Sequence, residues 1–196
     1  EYSLSFDGVD DIISVGTDAS LDVYNTFTKT GWFLSNNNTN IQALISRETP
    51  PGVSATPSTI RLSNEKISLW LGDGTNFTEF FSANNYQVGI WQHFAIVYDE
   101  GNVRIYLDGI EELNTSTAQQ SFSNPIAETR FGSQWNISNE PHFVLDGRLD
   151  DISIWNTALS QSEIQNYMNC PPTGNEPGLV GYWNFEEGSG TTATDQ

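Results

Sequence analysis

The chain has 196 residues and a formal net charge of −18, from 7 Lys plus Arg against 25 Asp plus Glu. That charge repels nucleic acid and anionic membrane surfaces, and no stretch is long and apolar enough to insert as a membrane-spanning helix, so neither partner class is expected. The length suits one β-sandwich burying roughly 70% of its unfolded surface, and the single cysteine, Cys170, provides no internal disulfide.

The first element is the alternation Leu4-Ser5-Phe6, a half-buried strand that runs into Asp7-Gly8 and then Asp10 and Asp11. Further period-two runs follow at Ile60-Arg61-Leu62, Ile67-Ser68-Leu69-Trp70-Leu71, Val103-Arg104-Ile105-Tyr106-Leu107 and Ile152-Ser153-Ile154-Trp155. Turn chemistry separates them: Asp73-Gly74, Glu100-Gly101-Asn102, Asp108-Gly109 and Asp146-Gly147 each pair a small polar or acidic residue with a glycine that accepts positive φ. This spacing predicts an all-β, antiparallel two-sheet sandwich rather than alternating strands and helices.

One short helix breaks the pattern near residues 160–168, where Ser160 and Glu163 form a capping box ahead of Ile164 and Met168. Cys170 to Gly178 holds three prolines and two glycines and reads as a linker. Leu179 to Phe185 is then another strand, too apolar to stand alone, expected to pair with the sheet. The domain is read as residues 1–185 and residues 186–196 as a tail toward a following module. The whole is read as a monomeric piece of a multidomain protein.

Calcium takes six to eight oxygens, and carboxylates cluster at both ends of the chain. Asp7, Asp10 and Asp11 follow the first strand, and Asp150 and Asp151 lie in Gly147-Arg148-Leu149-Asp150-Asp151-Ile152. If the two segments are neighbours, Asp7 and Asp150, then Asp151 and Asp10, are the expected ligands of a structural calcium. The alternative is that these aspartates only form turns by bonding their own backbone. With no cysteine or histidine pair beside them, a transition metal is disfavoured.

These two segments, together with Trp91-Gln92-His93-Phe94-Ala95-Ile96-Val97-Tyr98-Asp99, resemble the laminin-G-like, concanavalin A-like jelly-roll superfamily. The resemblance covers nearly the whole chain and implies a mostly non-catalytic binding module, with a calcium where the first and last strands meet. It also implies that Trp32, Trp91 and Trp155 pack inside, and that Arg47 lies on a central strand where it could meet an acidic sugar; Trp183, whose strand leaves its face open, is read as core with the other three.

Jelly-roll hydrolases carry paired carboxylates on one strand, and no strand here has that spacing; Glu111-Glu112 are adjacent and Glu186-Glu187 lie in the tail. No nucleophile motif accompanies His93 or His142, so no active site is expected. The 6 Trp, 7 Tyr and 11 Phe suit sugar recognition instead. Trp70 faces away from Ile67, Leu69 and Leu71, and Trp135 sits in the polar segment Ser133 to Glu140 as a binding platform or a loop anchor. Tyr86, His142, Arg47 and Arg61 complete the candidate ligand-binding set. The expectation is a carbohydrate-binding module of a secreted or surface bacterial protein, taking a polysaccharide or other glycan. The rival reading is an adhesion or protein-interaction repeat with no glycan ligand.

Overall fold

A computed structural model describes residues 2–49, 57–136, 138, 140–188, 190 and 192–196. Ile137 and Asn139 near Trp135, and Ser189 and Thr191 in the expected tail, lie outside the described residues. The chain forms β1 (Leu4–Asp7), β2 (Ile13–Gly16), β3 (Thr26–Ser35), β4 (Gln42–Glu48), β5 (Ser58–Ser63), β6 (Lys66–Gly72), β7 (Phe77–Phe81) and β8 (Gln92–Asp99). It continues with β9 (Asn102–Leu107), β10 (Ile110–Ser116), β11 (Glu128–Phe131), β12 (Gln134–Trp135), β13 (Pro141–His142), β14 (Asp146–Trp155), α1 (Gln161–Asn169) and β15 (Leu179–Trp183).

The strands build two antiparallel sheets packed as a sandwich. One runs β1-β14-β3-β8-β9-β10, with β15 also on β14; the other runs β2-β11-β4-β5-β6-β7. Inward side chains such as Phe27, Phe33, Ile60, Leu69, Phe94 and Ile105 are fully buried between them. Three tight hairpins have positive φ at both central residues: Asn64-Glu65, Glu100-Gly101 and Asp108-Gly109. That geometry matches the right-handed twist of the strands it joins. The first of these hairpins carries no glycine; Asn64, a residue that tolerates the left-handed region, leads its turn.

The strand β14 closes the domain. One of its edges pairs with β3, while the other holds β1 along residues 146–149 and β15 along residues 152–155. Of the stretch 179–185 expected to pair with the sheet, Leu179–Trp183 does so. The stretch read as a tail follows the same edge in its described residues: Ala193 packs against the core, and the Gln196 amide donates to the Tyr182 carbonyl. Helix α1 has the predicted capping box at Ser160 and Glu163. It lays Ile164 on the outer side of the β14 sheet, against Ala95, Val97, Tyr106 and Trp155.

Trp155 and Trp183 are buried as expected, but Trp32 and Trp91 are only half-buried. Phe33 takes the inward direction on β3, so its neighbour Trp32 is turned to the outer surface, with Trp91 nearby. The inward row of β3 instead holds Lys29, fully buried with its ammonium donating to the Ser58 hydroxyl at 2.7 Å. Desolvation, and then repulsion from Arg47, lowers its pKa from 10.5 to about 7.

Between pH 7 and 10.5 the unfolded chain binds a proton at Lys29 that the folded chain has lost, so stability rises with pH across that window and the full cost is felt below it. Lys29→Met is expected to stabilise the fold by about 1–3 kcal/mol at pH 6, since replacing a poorly compensated buried charge with an apolar side chain is commonly favourable. Urea unfolding at pH 6 and at pH 10 should show the gain shrinking at the higher value; a gain independent of pH would contradict the assignment.

Candidate functional site

On the six-stranded sheet, residues alternating with the core row point outward and form one continuous face. From β7 to β11 it carries Phe77 and Glu79, Trp70, Arg61, Ser46 and Glu48, then Arg130 and Glu128. Strand pairing puts these side chains within reach of one another across the pleat. The short hairpin of β12 and β13 adds Gln134, Trp135 and His142, followed by Phe143.

Two arginines organise the rings. The Arg61 guanidinium lies 4.0 Å from the centre of the Trp70 ring and 5.3 Å from that of Phe143, and its Nε donates to Gln134 Oε1 at 3.0 Å. The opposite side of Trp70 is stacked on Phe77 at 3.8 Å and 17°. Trp70 therefore has both faces engaged, and the ring that meets solvent is Phe77, 55% exposed. Arg130 lies 3.7 Å from the Trp135 ring centre, and Trp135 Nε1 donates to Glu128 Oε2 at 3.0 Å. The exposed His142 ring lies 3.9 Å from that of Phe143, tilted by 37°. Cation–π contacts of this kind gain strength when water is excluded, and both arginines are buried. They fix the ring planes of a preformed surface.

Beneath the rings lies Glu48, with no exposed area and neither carboxylate oxygen hydrogen-bonded in good geometry among the described residues. Desolvation raises its pKa from 4.5 to about 8; Arg61, the Trp135 amide and Arg130 pull the other way and are outweighed. At neutral pH it is held mostly as the acid, leaving Arg61 and Arg130 balanced by Glu79 and Glu128. Glu48 and Glu128 are direct cross-strand partners, a pairing contributed by two strands and so invisible to a search along one. It has the composition of a hydrolase pair. However, Glu48 has no access to a glycosidic oxygen, and Glu128 already accepts from Trp135 and Ser14.

Trp70, Trp135, Arg61 and His142 from the sequence-derived set are thus brought together. Arg47 and Tyr86 are not. Arg47 points between the sheets, where it bonds Thr129 and the Asn124 carbonyl and pairs with Asp22 at 3.4 Å. Burial lowers its pKa and the Asp22 charge opposes that shift. Tyr86 is buried against Phe33, with its hydroxyl donating to the Asn37 carbonyl. Arg130, Glu48, Gln134, Phe143 and Phe77 were missed; the one sequence signal for Arg130 is that it alternates with Thr129 and Phe131.

The carboxylates also regroup. Oxygens of Asp7, Asp10 and Asp11 lie within 4.8 Å of one another, a spacing compatible with one ion carrying Ca–O bonds of 2.3–2.6 Å. Asp150 and Asp151 are elsewhere, because Asp7 pairs with Asp146 and Asp150 is four residues further along β14. Two of the Asp7–Asp11 oxygens are already used by the turn, accepting from the Val9 and Asp7 amides.

Residues 7–165 match the family model described as the concanavalin A-like lectin/glucanases superfamily. The chain belongs to that superfamily. Solved structures with the same fold include a Bacteroides ovatus protein assigned to carbohydrate binding, with a TM-score of 0.69 and 15% identity over 88% of this chain and 49% of the other. The CBM40 of Ruminococcus gnavus IT-sialidase, solved with α2,3 sialyllactose, has a TM-score of 0.67 and 12% identity, covering 84% of this chain and 97% of the other. In sequence, the superfamily domain is 25% identical over 119 residues to adhesion G-protein coupled receptor V1 of Danio rerio, spanning 60% of this chain and 2% of the receptor.

Because the folded protein retains the Glu48 proton between pH 4.5 and 8 while the unfolded chain loses it, stability falls as pH rises through that window. Glu48→Gln cannot ionise, so its stability should decline less from pH 5 to pH 8 than that of the parent. Parallel slopes in paired denaturant titrations would refute the buried acid.

Proposed function

We propose that this chain is a non-catalytic carbohydrate-binding module that takes a neutral stretch of polysaccharide on the outer face of the six-stranded sheet. The observation carrying this reading is the convergence of Phe77, Trp70, Trp135 and Phe143 on one face, with two buried arginines holding their planes. Aromatic rings receive the apolar C–H faces of sugars, and a preformed surface lowers the ordering cost of binding. The balance of Arg61 and Arg130 against Glu79 and Glu128, with Glu48 held as the acid, argues for uncharged sugar. It argues against acidic units of the kind named for the R. gnavus module. The carbohydrate-binding neighbours support the class of ligand. A protein ligand on the same face is the second reading, favoured by the similarity to an adhesion receptor.

Trp135→Ala should weaken retention on a neutral polysaccharide by about 1–2 kcal/mol, the scale of a buried aromatic anchor, in affinity-gel electrophoresis. The gel panel includes uronic-acid and sialylated polymers. Retention only on those would overturn the neutral assignment, and retention on none would sink the glycan reading.

We further propose a structural calcium at Asp7, Asp10 and Asp11, in place of the set that included Asp150 and Asp151, and an extracellular setting in which such an ion is available. Calcium at 100 times its dissociation constant stabilises the folded state by about 2.7 kcal/mol. The melting temperature should therefore rise with added calcium and fall in chelator. In Asp10→Asn, which leaves the two turn-forming carboxylates in place, both responses should vanish; an unchanged response would remove the ion from this site.

A further inference from the structure

The opposite sheet carries a second feature that the sugar-binding reading does not use. Between Asp150 and Ser153 the pairing of β14 with β3 slips by one residue, from Asp150 opposite Trp32 to Ser153 opposite Thr30. Leu149 and Ile152 on either side both point into the core. The two residues between them are therefore turned outward together, which regular alternation forbids. Asp151 takes the left-handed conformation, φ 49°, and accepts a hydrogen bond from the Tyr182 hydroxyl, while its amide donates to Asp150 Oδ1.

Trp32 stands directly across from Asp150 on one side and from His93 on the other, with the Trp32 and His93 rings edge to face at 5.3 Å. Trp91 lies two residues before His93. Helix α1 covers this sheet over Trp155, Val97 and Tyr106 and does not reach the Trp32 row. The uncovered space is a pocket of about 240 Å³ lined by Trp32, Trp91, Asp150 and Asp151, all four half-buried.

From this geometry we infer that the pocket binds an organic cation of the quaternary-ammonium class. Indole faces attract a positive charge, and most strongly one that is weakly hydrated and large enough to touch two rings. The carboxylates supply the counter-charge in a partly dehydrated setting. A hard metal ion fits less well, since it needs six or more oxygens and two of the four lining residues offer none. Among the described residues that line the pocket there is no Lys or Arg. The volume admits a trimethylammonium head, whether borne by a choline-type molecule or by a methylated lysine. The bulge is what makes the site: with regular alternation, one of the two aspartates would face the core.

The test is titration with choline, followed by calorimetry and by tryptophan fluorescence, against 3,3-dimethylbutan-1-ol, its uncharged isostere. Choline should bind about tenfold or more tightly than the isostere, as a cation–π site predicts. Binding should be lost in Trp91→Ala and weakened in Asp151→Asn, a change that keeps a residue tolerant of the left-handed backbone. Trp91→Phe, which preserves a ring, should retain part of the affinity and guards against misfolding of the alanine variant. A trimethyllysine peptide and phosphatidylcholine vesicles then separate the two sources of the head group. Equal binding of the isostere, or undiminished choline binding by Trp91→Ala, overturns the inference. Trp135→Ala should leave choline binding unchanged, so failure of the sugar site and failure of this one are distinguishable.

Discussion

The constraint on which the domain depends is the length and single bulge of β14. Ten residues let one strand hold β1 and β15 end to end on one edge while β3 occupies the other. The extra residue keeps Leu149 and Ile152 both inward despite the break in alternation. Ile152 then fills the space over Gly31, where a Cβ would approach its Cδ1 to 2.3 Å. A side chain at Gly31 would have to displace either the bulge or Phe94, whose ring is the next neighbour. Because the first and last strands share β14, the two ends of the domain are coupled through one ladder.

The two sheets handle buried charge differently. Between them, Lys29 has a hydroxyl and a nearby arginine but no carboxylate partner among the described residues, so desolvation dominates and its proton is held weakly. Arg47 at the same end is better placed, with Asp22, Thr129 and a carbonyl to accept its donors. On the outer face, Arg61 and Arg130 lie against indoles, and Glu48 below them stays protonated because its opposing charges do not offset the loss of water. A buried network of this kind is rigid where satisfied and costly where not. The guanidinium–indole contacts set how Trp70 and Trp135 lie on the face.

The legibility of these features in the sequence follows from their range. Strand alternation, the hairpins with glycine and the capping box at Ser160 are local, and each is readable from a few neighbouring residues. So was the outward direction of Trp70, from Ile67, Leu69 and Leu71 beside it. What was not readable is what Trp70 touches: Arg61 and Phe77 arrive from the strands on either side and occupy both of its faces. The same holds for Glu48 and Glu128, which are 80 positions apart and become partners only when β4 and β11 pair. Asp150 and Asp151 resemble companions of Asp7 because each segment joins a short apolar run to clustered carboxylates; register places Asp146 opposite Asp7 instead. Arg47 is expected at a ligand from the family's central strand and Tyr86 from the polar segment around it; sheet register at one site and loop packing at the other turn them in.

The sequence by itself determined an antiparallel β-sandwich with one capped helix, closed by its first and last segments, since period-two burial and turn geometry are set within short windows. Tertiary structure decided which side chains share a surface, because that depends on strand order and on a one-residue slip in β14 that moves two carboxylates to the outside. Register is a property of pairs of strands, and no single strand encodes it.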